Sequence, residues 1–489
     1  MSGDWGPLLA IRADAGHQSG IGHVMRTLAI GQEWRRRGGR VVYLSMAMPA
    51  GLADRLQTEG IRIEKVDSLA DAGSTAEAAN RLKCAVLLVD HYGLTSDWWE
   101  ALPTRRRWRT AAINDFTQPI HSSAEVLISP RVIPIGDDTS ASRASGPAYL
   151  LIRSEVRRTA GTRTPEERAR RILVVLGGAD PRNVGPAVAK WLLRGEDDWA
   201  VRVVVGPAAT NRDEFDALAQ SDPRLQIVNQ PESMRPHFEW ADTTVASPST
   251  SVFEALHHGL VTGLVLTADN QQEVADDLLS LECACLIGDA RRDGYVLDEG
   301  AWTALARQTD LRAKLSAKGA ALVDGRGAER ACDLLGLPEV FFRNASNADA
   351  RLLWEWANDP LTRASSFSST PIPWEEHEGW LRRRLAQSGP FYLAVDGGLT
   401  PLAVVRFDEK AGGTVLISYN LAPGVRGKDL STLILGRACE SFRRQNPRAE
   451  IHAWIKNDNL ASQRCFVRAG FRELPDAAQP DRRLYVQSP

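Results

Sequence analysis

PLLAIRADAGHQSGIGHVMRTLAIGQEW, residues 7–34, sets the pattern from which the rest of the chain is read. A short apolar run, Pro7 to Ile11, meets a glycine-containing turn, and helical spacing then carries through Trp34. Parallel strands cannot be joined by tight hairpins, so a buried strand running straight into a helix predicts a parallel α/β unit. Similar apolar runs recur at Arg40 to Ser45, Ala85 to Val89, Thr110 to Ile113 and Val126 to Ile128. A polar, basic stretch from Arg157 to Arg170 (RRTAGTRTPEERAR) reads as a linker. The pattern then restarts at Arg171 to Leu176. It continues through Val201 to Val205, Leu225 to Val228, Thr243 to Ala246 and Val261 to Leu266. Two doubly wound units in tandem predict two Rossmann-like lobes facing a cleft, with ligands at the carboxyl ends of the strands.

A second change comes near Gly336. A helix-forming stretch (Ala348 to Asn358) leads to paired strands at Phe391 to Val395 and Leu402 to Phe407. A further strand, Thr414 to Leu421, precedes an Arg-Gly turn and a helix. Antiparallel strands with few helices predict a separate α+β domain. The expected boundaries are 1–156, 157–336 and 337–489.

Composition narrows the function classes. The 489 residues are 43% hydrophobic and 25% charged, the balance of a soluble globular protein. Lys plus Arg (59) nearly cancels Asp plus Glu (61), so no overall field draws nucleic acid or a membrane surface. The six cysteines form no CxxC pair and read as buried, reduced thiols. The N-terminus lacks a signal-peptide pattern, and nowhere do about eighteen apolar residues run together. A cytoplasmic location is expected. The acidic residues show no metal spacing, so no metal is called for.

The opening stretch also carries chemistry. In Arg12-Ala-Asp14-Ala-Gly-His17-Gln-Ser-Gly20-Ile-Gly22-His23, the glycines permit close backbone approach and the following helix offers unpaired N–H groups. An imidazole at that helix start can take a proton from water near neutral pH. It can equally be a helix cap, and spacing alone leaves both readings open. Asp14 and Asp90 are as readily loop anchors, and His17 and His91 are weaker catalytic candidates. Ser249, Thr250 and Ser251 precede an apolar helix and form a polar nest at its positive end. An ordinary N-cap followed by a solvent-facing Glu254 explains the same letters. Gly177 and Gly178, after a strand, allow phosphate approach or simply end the strand.

Five motifs in order carry a resemblance over residues 8 to about 300. They are R-x-D…G-x-G-H ending at His23, Asp90-His91-Tyr92-Gly93, Gly177-Gly178-Ala179-Asp180, Ser247-Pro-Ser249-Thr250-Ser251-Val-Phe-Glu254, and Asn270-Gln271. The region resembles the UDP-sugar hydrolase of pseudaminic acid biosynthesis, a member of the glycosyltransferase-B group. The resemblance implies His23 as catalytic base, with Tyr92 lining the same site and Asn270 facing the sugar. It implies UDP held by Gly22, Gly177, Gly178, Ser249, Thr250 and Ser251, with Glu254 accepting from the ribose hydroxyls. Water activated by His23 would attack the anomeric carbon and expel UDP with inversion, the helix end stabilising the leaving anion. No cofactor is implied for this step. The substrate of that family is UDP-2,4-diacetamido-2,4,6-trideoxy-β-L-altropyranose.

Residues 340 to 475 resemble the GNAT acetyltransferases, in particular those acting on the 4-amino group of UDP-amino-sugars. The likeness rests on Arg343-Asn-Ala…Leu353-Trp354-Glu-Trp356-Ala-Asn358-Asp359-Pro360, on Val425-Arg426-Gly427-Lys428-Asp429-Leu430-Ser431, and on Asn457…Ala461…Phe466…Gly470-Phe471. It implies acetyl-CoA as co-substrate, bound by Leu421, Arg426, Gly427, Lys428, Ser431 and Asn457. Asp429 departs from the family by standing where the loop has a glycine, and Phe466 stands where many members have a tyrosine. Two other functions fit the same two lobes: a glycosyltransferase acting on an acceptor, and a non-catalytic UDP-sugar-binding scaffold.

Overall fold

The structure, a computed structural model, describes residues 6–16, 21–67, 72–115, 123–134, 143–159, 161, 163–177, 180, 182–194, 198–206, 212–387, 389–410 and 414–489. Two compact units divide the chain. One comprises Leu9–Glu33 and Val41–Leu335; the other is Gly336–Pro489 with Trp34–Arg40 and the residues before Leu9.

The first lobe of the larger unit runs β1 (Leu8–Arg12), α1 (Gly22–Arg36), β2 (Arg40–Ser45), α2 (Ala50–Thr58), β3 (Arg62–Lys65), α3 (Ala72–Arg81), β4 (Val86–Val89), α4 (Ser96–Glu100), β5 (Arg109–Ile113), β6 (Val126–Ser129) and β7 (Arg143–Ser145). Its sheet order is β3-β2-β1-β4-β5-β6-β7. The pairings of β1 with β4 and of β4 with β5 are parallel, with Ala10 opposite Leu87 and Leu88 opposite Ala111. Strands β1, β4 and β6 are buried on both faces, which explains their unbroken apolar runs.

The second lobe repeats the plan: β8 (Arg171–Val175), α5 (Val184–Leu192), β9 (Ala200–Val205), α6 (Arg212–Ser221), β10 (Leu225–Asn229), α7 (Arg235–Trp240), β11 (Thr243–Ala246), α8 (Thr250–His257), β12 (Val261–Leu266), α9 (Gln272–Ser280) and β13 (Cys285–Asp289). Helices α10 (Glu299–Arg307), α11 (Thr309–Leu322) and α12 (Gly327–Leu334) complete the unit. The order β10-β9-β8-β11-β12-β13 is again parallel. These are two Rossmann-like lobes, each an open parallel sheet. Each sheet reverses direction of growth beside its first strand, between β1 and β4 and between β8 and β11. Such switch points open a crevice at the carboxyl ends of the strands.

Among its described residues the stretch expected as a linker has no regular secondary structure, but it is not a loose tether. Arg158 donates to the carbonyl of His257 at 2.9 Å, and the Ala169 N–H donates to Ala306 at 2.7 Å. The chain is laid along the second lobe. Farther on, Gly327 opens α12 where a Cβ would stand 2.2 Å from the carbonyl oxygen of Leu150. Backbone cannot swing aside as a side-chain tip can, so Gly327→Ala is expected to cost about 3 kcal/mol, the upper part of the overpacking range. A urea titration that leaves the unfolding midpoint unchanged would contradict this.

The smaller unit runs β14 (Phe341–Asn344), α13 (Ala350–Asn358), α14 (Pro360–Ser365), α15 (Trp374–Leu385), β15 (Phe391–Val395), β16 (Pro401–Glu409), β17 (Thr414–Leu421), α16 (Ser431–Gln445), β18 (Glu450–Lys456), α17 (Leu460–Arg468), β19 (Arg472–Gln479) and β20 (Arg482–Gln487). It is an α+β domain with a mixed sheet, β14-β15-β16-β17-β18-β20-β19. Among the described residues five α-helices accompany the strands, more than the sequence pattern suggested. Phe407 of β16 stacks on Phe442 of α16 with ring centroids 4.3 Å apart, fixing helix to sheet. Among the described residues, no helix is long and apolar enough to cross a membrane.

Candidate functional site

A cleft of about 210 Å³ opens within the larger unit, lined from both lobes. The first lobe contributes Gly22, His23, Arg26, Tyr92, Asp115 and Arg131, and the second Ser249, Thr250, Asn270 and Gln271 among others. These residues follow strands β1, β4, β5, β6, β11 and β12, so the cleft is built from carboxyl ends.

His23 lies in the first turn of α1 and is 5% exposed. Its Nδ1 stands 2.7 Å from Oδ1 of Asp90, just beyond β4. A carboxylate only accepts, so this short contact puts the ring hydrogen on Nδ1 and leaves the lone pair on Nε2. That tautomer suits a base. Arg26, one turn along the helix, grips Asp90 with Nε and Nη2, each at 2.6 Å, and reaches Asp115 with Nη1 at 2.5 Å. Burial alone would raise the Asp90 carboxyl, but Arg26 and His23 outweigh it and hold it well below the usual range. Burial likewise opposes the Arg26 charge, yet Asp90 and Asp115 raise it above the ordinary arginine value. Tyr92 sets its ring edge-on to His23, centroids 4.3 Å apart, and its hydroxyl donates to Asp115 at 2.8 Å.

Asp14 and His91 serve a different purpose. Asp14 accepts from Ser45 Oγ at 2.8 Å and from the Met46 N–H at 2.7 Å, pairing also with Arg12 at 2.9 Å. It anchors the loop after β2. His91 accepts the Gly93 N–H on Nδ1 at 2.9 Å, and its Nε2 is 3.3 Å from Asp14. His17 and Gly20 lie outside the described residues.

Across the cleft, Ser249 takes the N-cap position of α8 with no side-chain capping bond, and Thr250 is the first helical residue. The helix start therefore faces the opening, with its partial positive charge. Asn270 and Gln271 come from the short turn after β12, where Gln271 is locked by the Thr267 N–H at 2.8 Å.

Three of the described sequence candidates do not join them. Ser251 does not line the cleft, and Gly177 borders a small separate recess beside β8 and β9. Gly178 falls outside the described residues. Glu254 is buried in a two-bond pair with Arg153, at 2.9 and 3.0 Å, instead of facing the cleft as a ribose acceptor would. Burial outweighs that arginine and leaves the Glu254 carboxyl above its ordinary value. The sequence reading passed over Arg26, Asp115 and Arg131. Arg26 had a signal, since i and i+3 share a helix face and His23 was already singled out.

In the smaller unit, β17 pairs in parallel with β18 only from Thr414 to Leu416. Beyond Leu416 the two strands part, and the loop after β17 leads into α16. Gly427 has φ +76° and Asp429 has φ +54°. The second is a left-handed backbone that an L-residue adopts at a cost of about 1–2 kcal/mol and a glycine almost freely. Arg426 is committed to its own unit: it pairs with Asp359 at 2.5 Å, donates to Thr362 Oγ1 at 2.8 Å, and reaches the Leu421 carbonyl at 3.4 Å. Gly427, Lys428 and Asp429 are exposed, and Ser431 begins α16, its carbonyl accepting from the Tyr419 hydroxyl at 3.2 Å. Asn457 donates to the Pro480 carbonyl at 2.9 Å. Phe466 is buried edge-on to Phe471, centroids 4.9 Å apart, which makes it a packing residue.

Comparison with known proteins places these features. The model of the acetyltransferase (GNAT) domain matches residues 339–472, so the C-terminal region carries a GNAT acetyltransferase domain. An uncharacterized protein of Methanocaldococcus jannaschii is 24% identical, the match covering 95% of this chain and 96% of that one. The spore coat polysaccharide biosynthesis protein SpsG of Bacillus subtilis is 23% identical over 67% of this chain and 97% of its own length. Among solved structures, Acinetobacter baumannii MurG covers 67% of this chain and 99% of its own, with 15% identity and a TM-score of 0.47.

Proposed function

We propose that the larger unit hydrolyses the sugar–diphosphate bond of a UDP-linked 2,4-diacetamido-2,4,6-trideoxy sugar, releasing free sugar and UDP. The observation that carries this reading is the His23–Asp90 pair at 2.7 Å on the wall of the cleft opposite the start of α8. Asp90 fixes the tautomer, so Nε2 takes a proton from water as its oxygen attacks the anomeric carbon. The bond to the diphosphate oxygen breaks with inversion, and the anion leaves toward the helix start. UDP is a stable leaving group and asks for no general acid. Tyr92, Asn270, Ser249 and Thr250 line the path of the sugar and nucleotide. Glu254 meets the ribose only if Arg153 gives it up. The likeness to a polysaccharide biosynthesis protein supports work on sugars. The test is incubation of purified protein with UDP-diacetamido sugar and no acceptor, with product anomers read by proton NMR. Release of both UDP and free inverted sugar is expected, whereas a requirement for an acceptor would sink the reading.

The GNAT domain transfers acetyl from acetyl-CoA to the 4-amino group of the precursor UDP-amino sugar, so that one chain carries consecutive steps. Exposed Gly427 and Lys428 and the start of α16 hold the CoA diphosphate by backbone N–H groups and charge. Asp429 opposes them with a like charge and an unfavourable backbone. Asp429→Gly is expected to tighten acetyl-CoA about fivefold, the effect of removing about 1 kcal/mol of repulsion in water. Calorimetric titration checks it; equal or weaker affinity in the variant would show that the carboxylate does not face the phosphates.

A further inference from the structure

His91 follows directly on the Asp90 that holds His23, yet the proposed mechanism gives it no part. It is buried, and both ring nitrogens are engaged. Nδ1 accepts the Gly93 N–H at 2.9 Å, which closes residues 91–93 into a tight turn over the ring. Nε2 faces Oδ2 of Asp14 at 3.3 Å. Burial alone would raise the Asp14 carboxyl, but His91, Arg12, Ser45 and the Met46 N–H outweigh it and hold it well below the usual range. A carboxylate only accepts, so the ring hydrogen sits on Nε2 and the lone pair on Nδ1 meets the Gly93 amide. Both contacts demand the same neutral tautomer. The fit under the turn is close: a Cβ on Gly93 would stand 2.9 Å from Cε1 of His91. Between the two residues comes Tyr92, 43% exposed, its ring edge-on to His23 with centroids 4.3 Å apart. A side chain this open depends for its place on the backbone that carries it as well as on its hydroxyl bond to Asp115.

We propose that His91 is a positioning residue for the hydrolysis: pinned by Asp14, it closes the 91–93 turn and so sets Tyr92 against the imidazole of His23. This deepens the hydrolase reading and rests on it. His91 is not among the described residues that line the cleft, whereas Tyr92 and His23 are, so its action passes through Tyr92. Asp90 orients the His23 ring through Nδ1, and the Tyr92 ring limits its swing from the side. A loosened turn lets Nε2 of His23 wander from the attacking water. Small misplacements of this kind are costly, about a hundredfold in rate for an ångström.

The experiment follows single-turnover release of UDP from the UDP-diacetamido sugar, together with UDP affinity, in full-length protein. The variants are His91→Phe, His91→Asn, Tyr92→Ala and the double variant His91→Phe with Tyr92→Ala. His91→Phe keeps a ring but loses the acceptor, and its rate is expected to fall by about 10–100-fold with UDP affinity unchanged. His91→Asn has no ring, but its side-chain carbonyl can accept the N–H two residues on, as in an Asx turn, and it is expected to recover most of the loss. In the Tyr92→Ala background His91→Phe is expected to cost little more, because the residue it positions is gone. If His91→Phe does not fold, Gly93→Ala, which presses on the same ring from the turn, takes its place in the cycle. A wild-type rate in His91→Phe or its replacement, a fully additive loss in the double variant, or His91→Asn no better than His91→Phe would each overturn the proposal. Wild-type protein that releases no UDP from the sugar nucleotide would instead bring down the hydrolase reading, and this inference with it.

Discussion

Replacing His23 by alanine is expected to lower hydrolysis of the UDP-linked sugar by about 10²–10⁴, the usual contribution of a positioned general base. The affinity for UDP should change by less than about twofold, because in the proposed function the diphosphate is held from elsewhere in the cleft. That separation is what a catalytic role means in measurable terms. An imidazole that merely caps α1 would show the opposite pattern, with little change in rate and some loss of stability. Single-turnover rates and a UDP titration on the same preparation distinguish the two. Hydrolysis within a few-fold of wild type would remove His23 from the mechanism. Parallel loss of rate and UDP affinity would show that the residue shapes the pocket instead.

How much of this was legible in the letters follows from where each signal resides. Strands β1, β2, β4, β5 and β6 were readable because parallel strands covered on both faces leave continuous apolar runs. Strand β3, Arg62–Lys65, was not: it is an edge strand of sequence RIEK with no fully buried residue. Strands β18 and β20 alternate or mix burial, and their apolar content is diluted by outward polar residues. The extra helices of the smaller unit were hidden for a related reason. Helix α15, WEEHEGWLRRRL, buries only His377, Leu381 and Arg384, so its stripe is thin and partly charged.

The site divides the same way. His23, Tyr92, Ser249, Thr250 and Asn270 were chosen from motifs at turns, and one cleft gathers them. Glu254 shows the limit of that method. Its position one turn into α8 was read correctly, but the bond that occupies it comes from Arg153, 101 residues away. The role of Asp90 was equally invisible, since its partner His23 is 67 residues distant. A sequence motif gives the residue types that meet a ligand. It does not give the charges that meet those residues first.

Asp90 therefore carries the second large expectation. Its carboxylate is fully buried and answers two groups at once, Arg26 through two bonds and His23 through one. Asp90→Ala leaves the Arg26 guanidinium, only 10% exposed, with Asp115 as its remaining carboxylate partner among the described residues. Breaking a buried pair from one side costs about 3–5 kcal/mol, because an uncompensated charge stays behind. A lowered urea midpoint of that size is expected at neutral pH. Arg26→Met combined with Asp90→Ala should lose less than the two single changes added together, since no charge is then stranded. Acid provides an independent check. The Asp90 carboxyl is depressed in the folded protein from its ordinary 3.8. Its contribution is thus complete above that value and is lost as pH falls toward the folded one. The stability gap between wild type and Asp90→Ala should accordingly narrow between pH 7 and pH 3. Asp14 and Asp115 are depressed as well, but both remain in the two proteins, so their acid sensitivity largely drops out of the difference. A gap that is small at pH 7, or that widens in acid, would mean that Arg26 is balanced by other groups and that Asp90 is not the anchor on which the His23 tautomer depends.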